Sequence, residues 1–283
     1  MDTNLTLAPR PQEATSGRIP RLNAHRIGLV SRDFRHKYGG RLDFSEVLPE
    51  VLALLDDCGC DAVLFSLFTI IRRKSFEPLK GLKHLRSIDA ILYEEFTGRR
   101  FVGGRWENIK GNAKSRYVVL HRRKRGWGEY EFRQKFGSLS PPTKKHLKEV
   151  ADFVRLEIPR RTLGNCCVLL CGESNAVKYS PKDGKIHDDF HLTKAIPKGA
   201  DIILNPIHDR MTRFEMRRKR AFLSKGGRWV ISVWNKGKMS SNGKVSDGEL
   251  PPWSVFFNNK ERTIQPIQNK LGLDIGIVDI EEG

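Results

Sequence analysis

Apolar positions along this chain fall into two kinds of segment: short continuous runs, and stretches in which they recur every three or four residues. The runs read as strands buried on both faces, and the three-to-four spacing reads as helices with one buried stripe. Residues 26–31 form the first run. Asp43 followed by Glu46 makes a capping box that opens a helix, with Val47, Val51, Leu54 and Leu55 on its buried face and Gly59 at its end. Residues 61–68 are a second buried strand. Strand, helix and strand at this spacing predict a βαβ-like opening.

Between 82 and 96 the pattern supports two readings: Leu82, Leu85 and Ile88 have helical spacing, while 88–96 reads equally as a strand. Residues 103–114 are rich in Gly and Asn and read as a loop, and 117–120 form a strand that runs into the basic stretch 121–125. Pro141 and Pro142 open a helix with Leu147, Val150, Ala151 and Val154 on one face. It delivers the chain to the apolar run that ends at Cys171. A brief helix over 192–197 follows, ended by Gly199, and then a strand over 201–206. Residues 210–225 are a helix with Met211, Phe214, Ala221 and Phe222 sharing a face. Strands at 229–234, 253–257 and 275–280 complete the pattern, with a Ser-, Gly- and Pro-containing loop over 236–252. No repeat of solenoid length is present. Residues 1–24, with Pro9, Pro11 and Pro20 among aperiodic polar residues, read as a disordered tail, leaving one domain over 25–283.

Composition changes this picture in one respect. At 283 residues the chain can bury a full core, and 39% hydrophobic with 30% charged residues is ordinary for a globular protein. The balance of 51 Lys and Arg against 33 Asp and Glu is not ordinary; it gives a net charge of +18 and makes an anionic partner plausible. The five cysteines, at 58, 60, 166, 167 and 171, include no C-x-x-C pair and no zinc-finger spacing. That argues for a reducing compartment and against a zinc site. No run approaches 18 apolar residues and the N-terminus lacks a signal-peptide core, so the expectation is a soluble cytoplasmic protein that neither crosses a membrane nor carries a cofactor.

The candidate chemistry lies at residues 165–175, where a strand-type run stops at Cys171, followed by Gly172, Glu173 and Ser174. A rigid strand leading into a glycine is suited to lifting a thiol out of a sheet edge as a nucleophile. The alternative is that Cys171 is a third core cysteine, since free Cys is among the most buried residue types. The two readings stand level on this window.

Several segments in order along the chain resemble the nitrilase superfamily of carbon-nitrogen hydrolases, and the resemblance extends over roughly residues 26–281. Residues 170–175 resemble its Cys-x-Glu/Asp elbow, residues 199–206 its Gly-Ala-Asp strand, and residues 217–235 the helix and strand that follow. The resemblance implies an α/β fold, a four-layer αββα sandwich of two stacked mixed sheets, and a homodimer paired through helices beside the site. It places the nucleophile on Cys171. Residues 122–124 resemble the family's Tyr-Arg-Lys segment and residues 128–130 its Gly-Glu-Tyr, so Lys124 and Glu129 inherit catalytic roles.

One departure is chemical. The family's second strand ends in a glutamate that serves as general base, and Leu67 stands there instead. Leucine accepts no proton, and loss of general acid-base help costs about 100- to 10,000-fold in rate. Glu129 is then the candidate substitute base and Glu173 a weaker one. Two functions follow: a cysteine hydrolase of a small amide or nitrile through a thioester, with altered machinery, or an inactive nitrilase-fold protein that binds nucleic acid or a protein. The second draws on basic clusters at 72–74, 121–125 and 210–220, with Arg217, Arg218, Lys219 and Arg220 at its centre.

Overall fold

The computed structural model describes residues 18–34, 47–67, 84–97, 99–102, 105–108, 114–137, 143–208, 214–237 and 251–280. The capping box at Asp43 and Glu46, the cluster 72–74, Leu82, Pro141 and Pro142, Arg210 and Met211, most of the loops 103–114 and 236–252, and residues 1–17 of the expected tail lie outside the described residues.

In chain order, β1 (Arg26–Ser31) leads through α1 (Leu48–Asp57) to β2 (Ala62–Phe65) and β3 (Ala90–Thr97). A small hairpin, β4 (Arg99–Val102) with β5 (Arg105–Asn108), precedes β6 (Lys114–Arg122) and β7 (Trp127–Phe132). Helix α2 (Lys144–Asp152) runs through one π-helical turn (Phe153–Glu157) into α3 (Ile158–Arg161), then β8 (Thr162–Leu163) and β9 (Cys166–Val168). A 3-10 turn (Cys171–Ala176), the hairpin β10 (Lys178–Ser180) and β11 (Lys185–His187), and α4 (Leu192–Ala195) lead to β12 (Ile202–Pro206). The chain ends with α5 (Phe214–Leu223), β13 (Trp229–Val233), β14 (Trp253–Phe257), β15 (Lys260–Arg262) and β16 (Asp274–Asp279).

Two six-stranded sheets result, ordered β16-β1-β2-β3-β6-β7 and β15-β14-β13-β12-β9-β8. Each has three adjacent parallel strands, β1, β2 and β3 in one and β9, β12 and β13 in the other, flanked by antiparallel partners. The segment that supported two readings, 88–96, is strand because β3 is gripped on both edges and alternates its faces. Its Leu92 turns into the cluster between the sheets, together with Leu29, Leu64, Val119, Val168, Leu204 and Ile231. Its Ile91 and Tyr93 turn outward to pack with Leu48, Val51, Leu52 and Leu55 of α1. Cys167, Ile203 and Val230 on the far face of the second sheet pack against Phe153, Ile158, Leu192 and Leu223 of the opposite helical layer. The layers are therefore helix, sheet, sheet, helix: the four-layer αββα sandwich that the resemblance implies. Burial on both faces explains why the parallel strands read as continuous apolar runs.

Two boundaries differ from expectation. Packing is already present before residue 25: Leu22 and Ala24 are buried between the sheets, Leu22 donates its N–H to the Leu163 carbonyl at 3.3 Å, and Asn165 N–H returns a bond to Leu22 at 3.1 Å. In α5 the buried residues are Met216, Lys219, Arg220 and Leu223, while Phe214 is 64% exposed. Apolar spacing assigned the wrong face because two of the residues turned inward are cations.

The carboxyl ends of the parallel strands of both sheets meet. Asn235, just past β13, accepts the Arg32 N–H at 3.1 Å and donates to the Leu67 carbonyl at 2.7 Å, and the Ser66 hydroxyl also donates to it. Backbone bonds from Phe34 to Lys236 and from Lys236 to Arg32 complete the staple. Crevices at the carboxyl ends of parallel strands are where open α/β sheets place their ligands.

Candidate active site

Past the end of β9 the chain stays extended at Leu170 and then winds into the tight turn that starts at Cys171. Glu173 holds that turn. Its carboxylate accepts the Leu170 N–H at 2.8 Å, the Lys135 N–H at 2.9 Å, and both Arg161 terminal nitrogens at 2.9 Å. Four donors on two oxygens is an arrangement only the ionised carboxylate accepts. Arg161, itself fully buried, stacks its guanidinium on Phe132 at 4.1 Å and donates to the Arg133 carbonyl at 2.5 Å. Glu173 is therefore committed to fixing the elbow against the 132–137 segment, and has no lone pair left for proton transfer. Gly172 is required by closeness: a Cβ there would stand 2.5 Å from Gly137 Cα and 2.6 Å from the Phe136 carbonyl oxygen. Asn205 ties the neighbouring strands, donating to Leu169 O at 2.6 Å and accepting the Ser232 hydroxyl at 3.0 Å.

Cys171 is recessed at 8% exposure. The ladder between β12 and β13 runs one residue past Pro206, through the Ile207 N–H to Val233 O bond at 2.9 Å, and delivers His208 to the same end. The imidazole is hydrogen-bonded to the Cys171 sulfur, and its Nε2 lies 3.3 Å from one Glu94 carboxylate oxygen and 3.4 Å from the other. Glu94 sits there because it follows Leu92 by two residues on β3 and so shares its inward face, whereas Glu95 turns outward to Arg116. Burial alone would lower the His208 pKa, but the bonds to Cys171 and Glu94 outweigh it and raise it to about 9. The imidazole is thus protonated at neutral pH and presents a cation to the sulfur. The other buried thiols lack such a partner: burial pushes Cys60 and Cys167 up to about 12, and Cys166 higher.

Lys124 and Glu129 are not brought to Cys171. Strand β6 runs antiparallel to β3, with Tyr117 opposite Glu94 and His121 opposite Ala90, so Arg122 is already about 17 Å along the sheet from the site end. Lys124, in the hairpin beyond it, lines a cleft of about 400 Å³ with Asp61, Asp89 and His121 at the amino ends of the parallel strands. Glu129 lies opposite Leu120 and ion-pairs with Arg116 at 2.7 Å, alongside Glu95 and Glu131. The likeness to short Lys- and Glu-containing motifs does not carry over to the geometry: the turn between β6 and β7 holds Lys124 at the amino ends of the parallel strands, and Glu129 on the return strand is engaged by Arg116. Leu67 is 1% exposed and packs in the same inter-sheet cluster as Cys171.

The basic stretch of α5 is not one exposed patch. Lys219 and Arg220 are buried, Lys219 Nζ donates to Asn175 Oδ1 at 2.8 Å, and Arg217 is paired with Glu261. Among the described residues, no group of three His, Cys, Asp or Glu side chains is arranged to hold a metal ion, and no helix is long and apolar enough to cross a membrane.

Glu94 and His208 escaped the sequence reading. Glu94 lies in the segment that read as either helix or strand. His208 does carry a signal, a lone imidazole two residues past a parallel strand.

No family model and no curated protein matches the sequence. Among solved structures, the chain is similar to an amidase from Nesterenkonia sp., at 12% identity and a TM-score of 0.48 over 94% of this chain and 93% of that one. It is similar to Saccharomyces cerevisiae Nit3, a member of branch 10 of the nitrilase superfamily, at 9% identity and 0.49 over 94% and 93%. A glutamine-dependent NAD(+) synthetase from Cytophaga hutchinsonii matches at 10% identity and 0.47, over 91% of this chain and 43% of that one. The fold assignment rests on the strand order and layers described above.

Proposed function

We propose that this chain is a cysteine-dependent carbon-nitrogen hydrolase of small amides, with Cys171 as nucleophile, His208 as proton carrier and Glu94 as the group that orients it. One observation carries this: His208 is hydrogen-bonded at once to the Cys171 sulfur and to Glu94. The thiolate attacks the amide carbon and the carbonyl electron pair moves to oxygen. As the tetrahedral adduct collapses, the C–N bond breaks and the leaving nitrogen takes the His208 proton, departing as ammonia or an amine. Neutral His208 then takes a proton from water, whose oxygen attacks the thioester. The C–S bond breaks, sulfur leaves as thiolate, and His208 is again protonated. One amide and one water give one acid and one amine. In this scheme the base expected at position 67 is replaced by a histidine from the other sheet, which fits Leu67 having joined the core. A nitrile would enter through the same thiolate. The homodimer implied by the resemblance would cover exposed Leu147 and Leu156, on the stretch from α2 to α3, and Phe214 on α5.

The test is ammonia release from a panel of small amides, with acyl-enzyme seen by intact mass. Cys171→Ala should abolish both, and His208→Gln should slow turnover about 100- to 10,000-fold. Hydrolysis that survives Cys171→Ala, or no hydrolysis by the unaltered protein, overturns the proposal.

A further inference from the structure

We propose a second ligand site at the opposite end of the sheet from Cys171: the cleft between residues 21–24 and the β6–β7 turn binds a phosphate monoester whose body carries hydroxyl donors, the chemistry shared by nucleotides and sugar phosphates. The cleft encloses about 400 Å³, within the range of small-molecule sites, and Asp61, Ala62, Asp89 and Ala90 at the amino ends of β2 and β3 form its floor. Both walls are fixed before any ligand arrives. Asn165 clamps Ala24 by accepting its N–H and donating to its carbonyl, each at 2.9 Å, and Leu22 is bonded to Leu163 and Asn165. The opposite wall, from His121 to Lys124, is closed by the Arg123 N–H to Gly126 O bond at 2.9 Å. A cleft held open in this way loses little entropy on binding.

The lining cations differ in how far they are engaged. Arg122 is occupied, with Nε on Asp89 at 2.6 Å and Nη2 on the carbonyls of Leu85 and Ile88 at 2.9 and 2.6 Å. Arg21, Arg123 and Lys124 are exposed and make no ion pair among the described residues. Arg123 folds back over Gly128, where a Cβ would fall 1.9 Å from its Nε, and Gly128 faces His121 across the ladder. A guanidinium held in place beside a mobile ammonium suits a phosphate, which takes bonds from several directions. The deeper groups require a different partner. Asp61 Oδ2 accepts the N–H groups of His25 and Arg26 at 2.7 and 3.1 Å, while its Oδ1 is buried with no hydrogen-bond partner among the described residues, as is His121 Nε2. Burial, and then the Arg123 charge, lowers the His121 pKa from its ordinary 6.5, so at neutral pH the ring is uncharged and can accept a hydrogen bond. Buried acceptors left unpaired are costly, and a donor that reaches them recovers that cost. A bare inorganic anion supplies no such body and is repelled by Asp61, whereas a phosphate at the rim carried on a hydroxylated body satisfies both layers. This site does not depend on the hydrolase reading.

Equilibrium dialysis of the full chain against adenosine monophosphate, ribose phosphate, adenosine and inorganic phosphate tests this. At least one ester should bind about 10-fold or more tightly than inorganic phosphate and adenosine. Binding of adenosine monophosphate alone assigns the site to nucleotides, and binding of both esters assigns it to the sugar phosphate they share. Replacing Arg21 and Lys124 together with Ala should weaken the ester about 10-fold or more, because two charge-assisted bonds are lost. Asp61→Asn should shrink the ester's advantage over inorganic phosphate, and Cys171→Ala should change neither. If Asp61→Asn does not fold, hydrogen exchange of the unaltered protein under saturating ester decides, with protection expected at 21–24 and 121–124. No binding of either ester at millimolar concentration, inorganic phosphate binding as tightly as the esters, an affinity unmoved by the Arg21 and Lys124 replacements, an advantage that survives in folded Asp61→Asn, or protection confined to 171–176 overturns the proposal.

Discussion

Glu94 and His208 stand 114 residues apart in sequence and on different sheets, yet their side chains meet at 3.3 Å beside Cys171. The contact exists because both lie at carboxyl ends of parallel strands and the sandwich brings those ends together. In the proposed reaction this pair supplies the proton carrier and its orienting acid without any residue from the strand end at Leu67.

Replacing Glu94 with Gln should lower kcat by about 100-fold or more, since the imidazole loses its orienting charge. A stability signature accompanies it. The folded pKa of His208 is raised to about 9 from an ordinary 6.5, so the stabilisation from its partners is fully present below 6.5 and is lost as pH rises through about 9. Denaturant titrations of the unaltered protein and Glu94→Gln should therefore differ most in mild acid and converge in alkali. A gap that widens with pH would contradict the assignment.

Cys171 should be the thiol modified first at neutral pH. Cys60 and Cys167 are held up to about 12 by burial, and deprotonation limits their reaction. Peptide mapping after limited alkylation checks this, and His208→Gln should slow the Cys171 adduct specifically.

Leu67→Glu should not rebuild a catalytic triad. Leu67 packs between the sheets, and a carboxylate there is buried without a partner, costing on the order of several kcal/mol or ionising only at raised pH. A lower melting temperature with no gain in ammonia release is expected.

Glu173 and Glu129 should separate sharply. Glu173→Gln removes the charge from a fully buried bidentate pair and should destabilise the fold by about 3–5 kcal/mol. Glu129→Gln removes one of three acids around Arg116 and should cost about 1 kcal/mol or less, with turnover retained.

Gly172→Ala should be tolerated poorly, because the added carbon would overlap Gly137 and the Phe136 carbonyl. A loss of about 1–3 kcal/mol and a displaced elbow are expected, read as a fall in both melting temperature and Cys171 labelling.

Local pattern by itself determined the parallel strands, most helices and the elbow. Continuous apolar runs mean burial on both faces, and a strand stopping at Cys-Gly-Glu needs no distant contact to be recognised. It could not determine which charged residues turn inward. Lys219 and Arg220 carry the signature of a solvated face, and only packing of α5 on the second sheet buries them. Nor could it set the end of the sheet at which a residue sits. Lys124 and Glu129 match short motifs, but the antiparallel register of β6 and β7 takes Lys124 to the far end and Glu129 into the Arg116 ion-pair cluster. Glu94, His208 and Cys171 lie on three separate strand ends, and their meeting is a property of two sheets stacked face to face, which no spacing along one chain encodes.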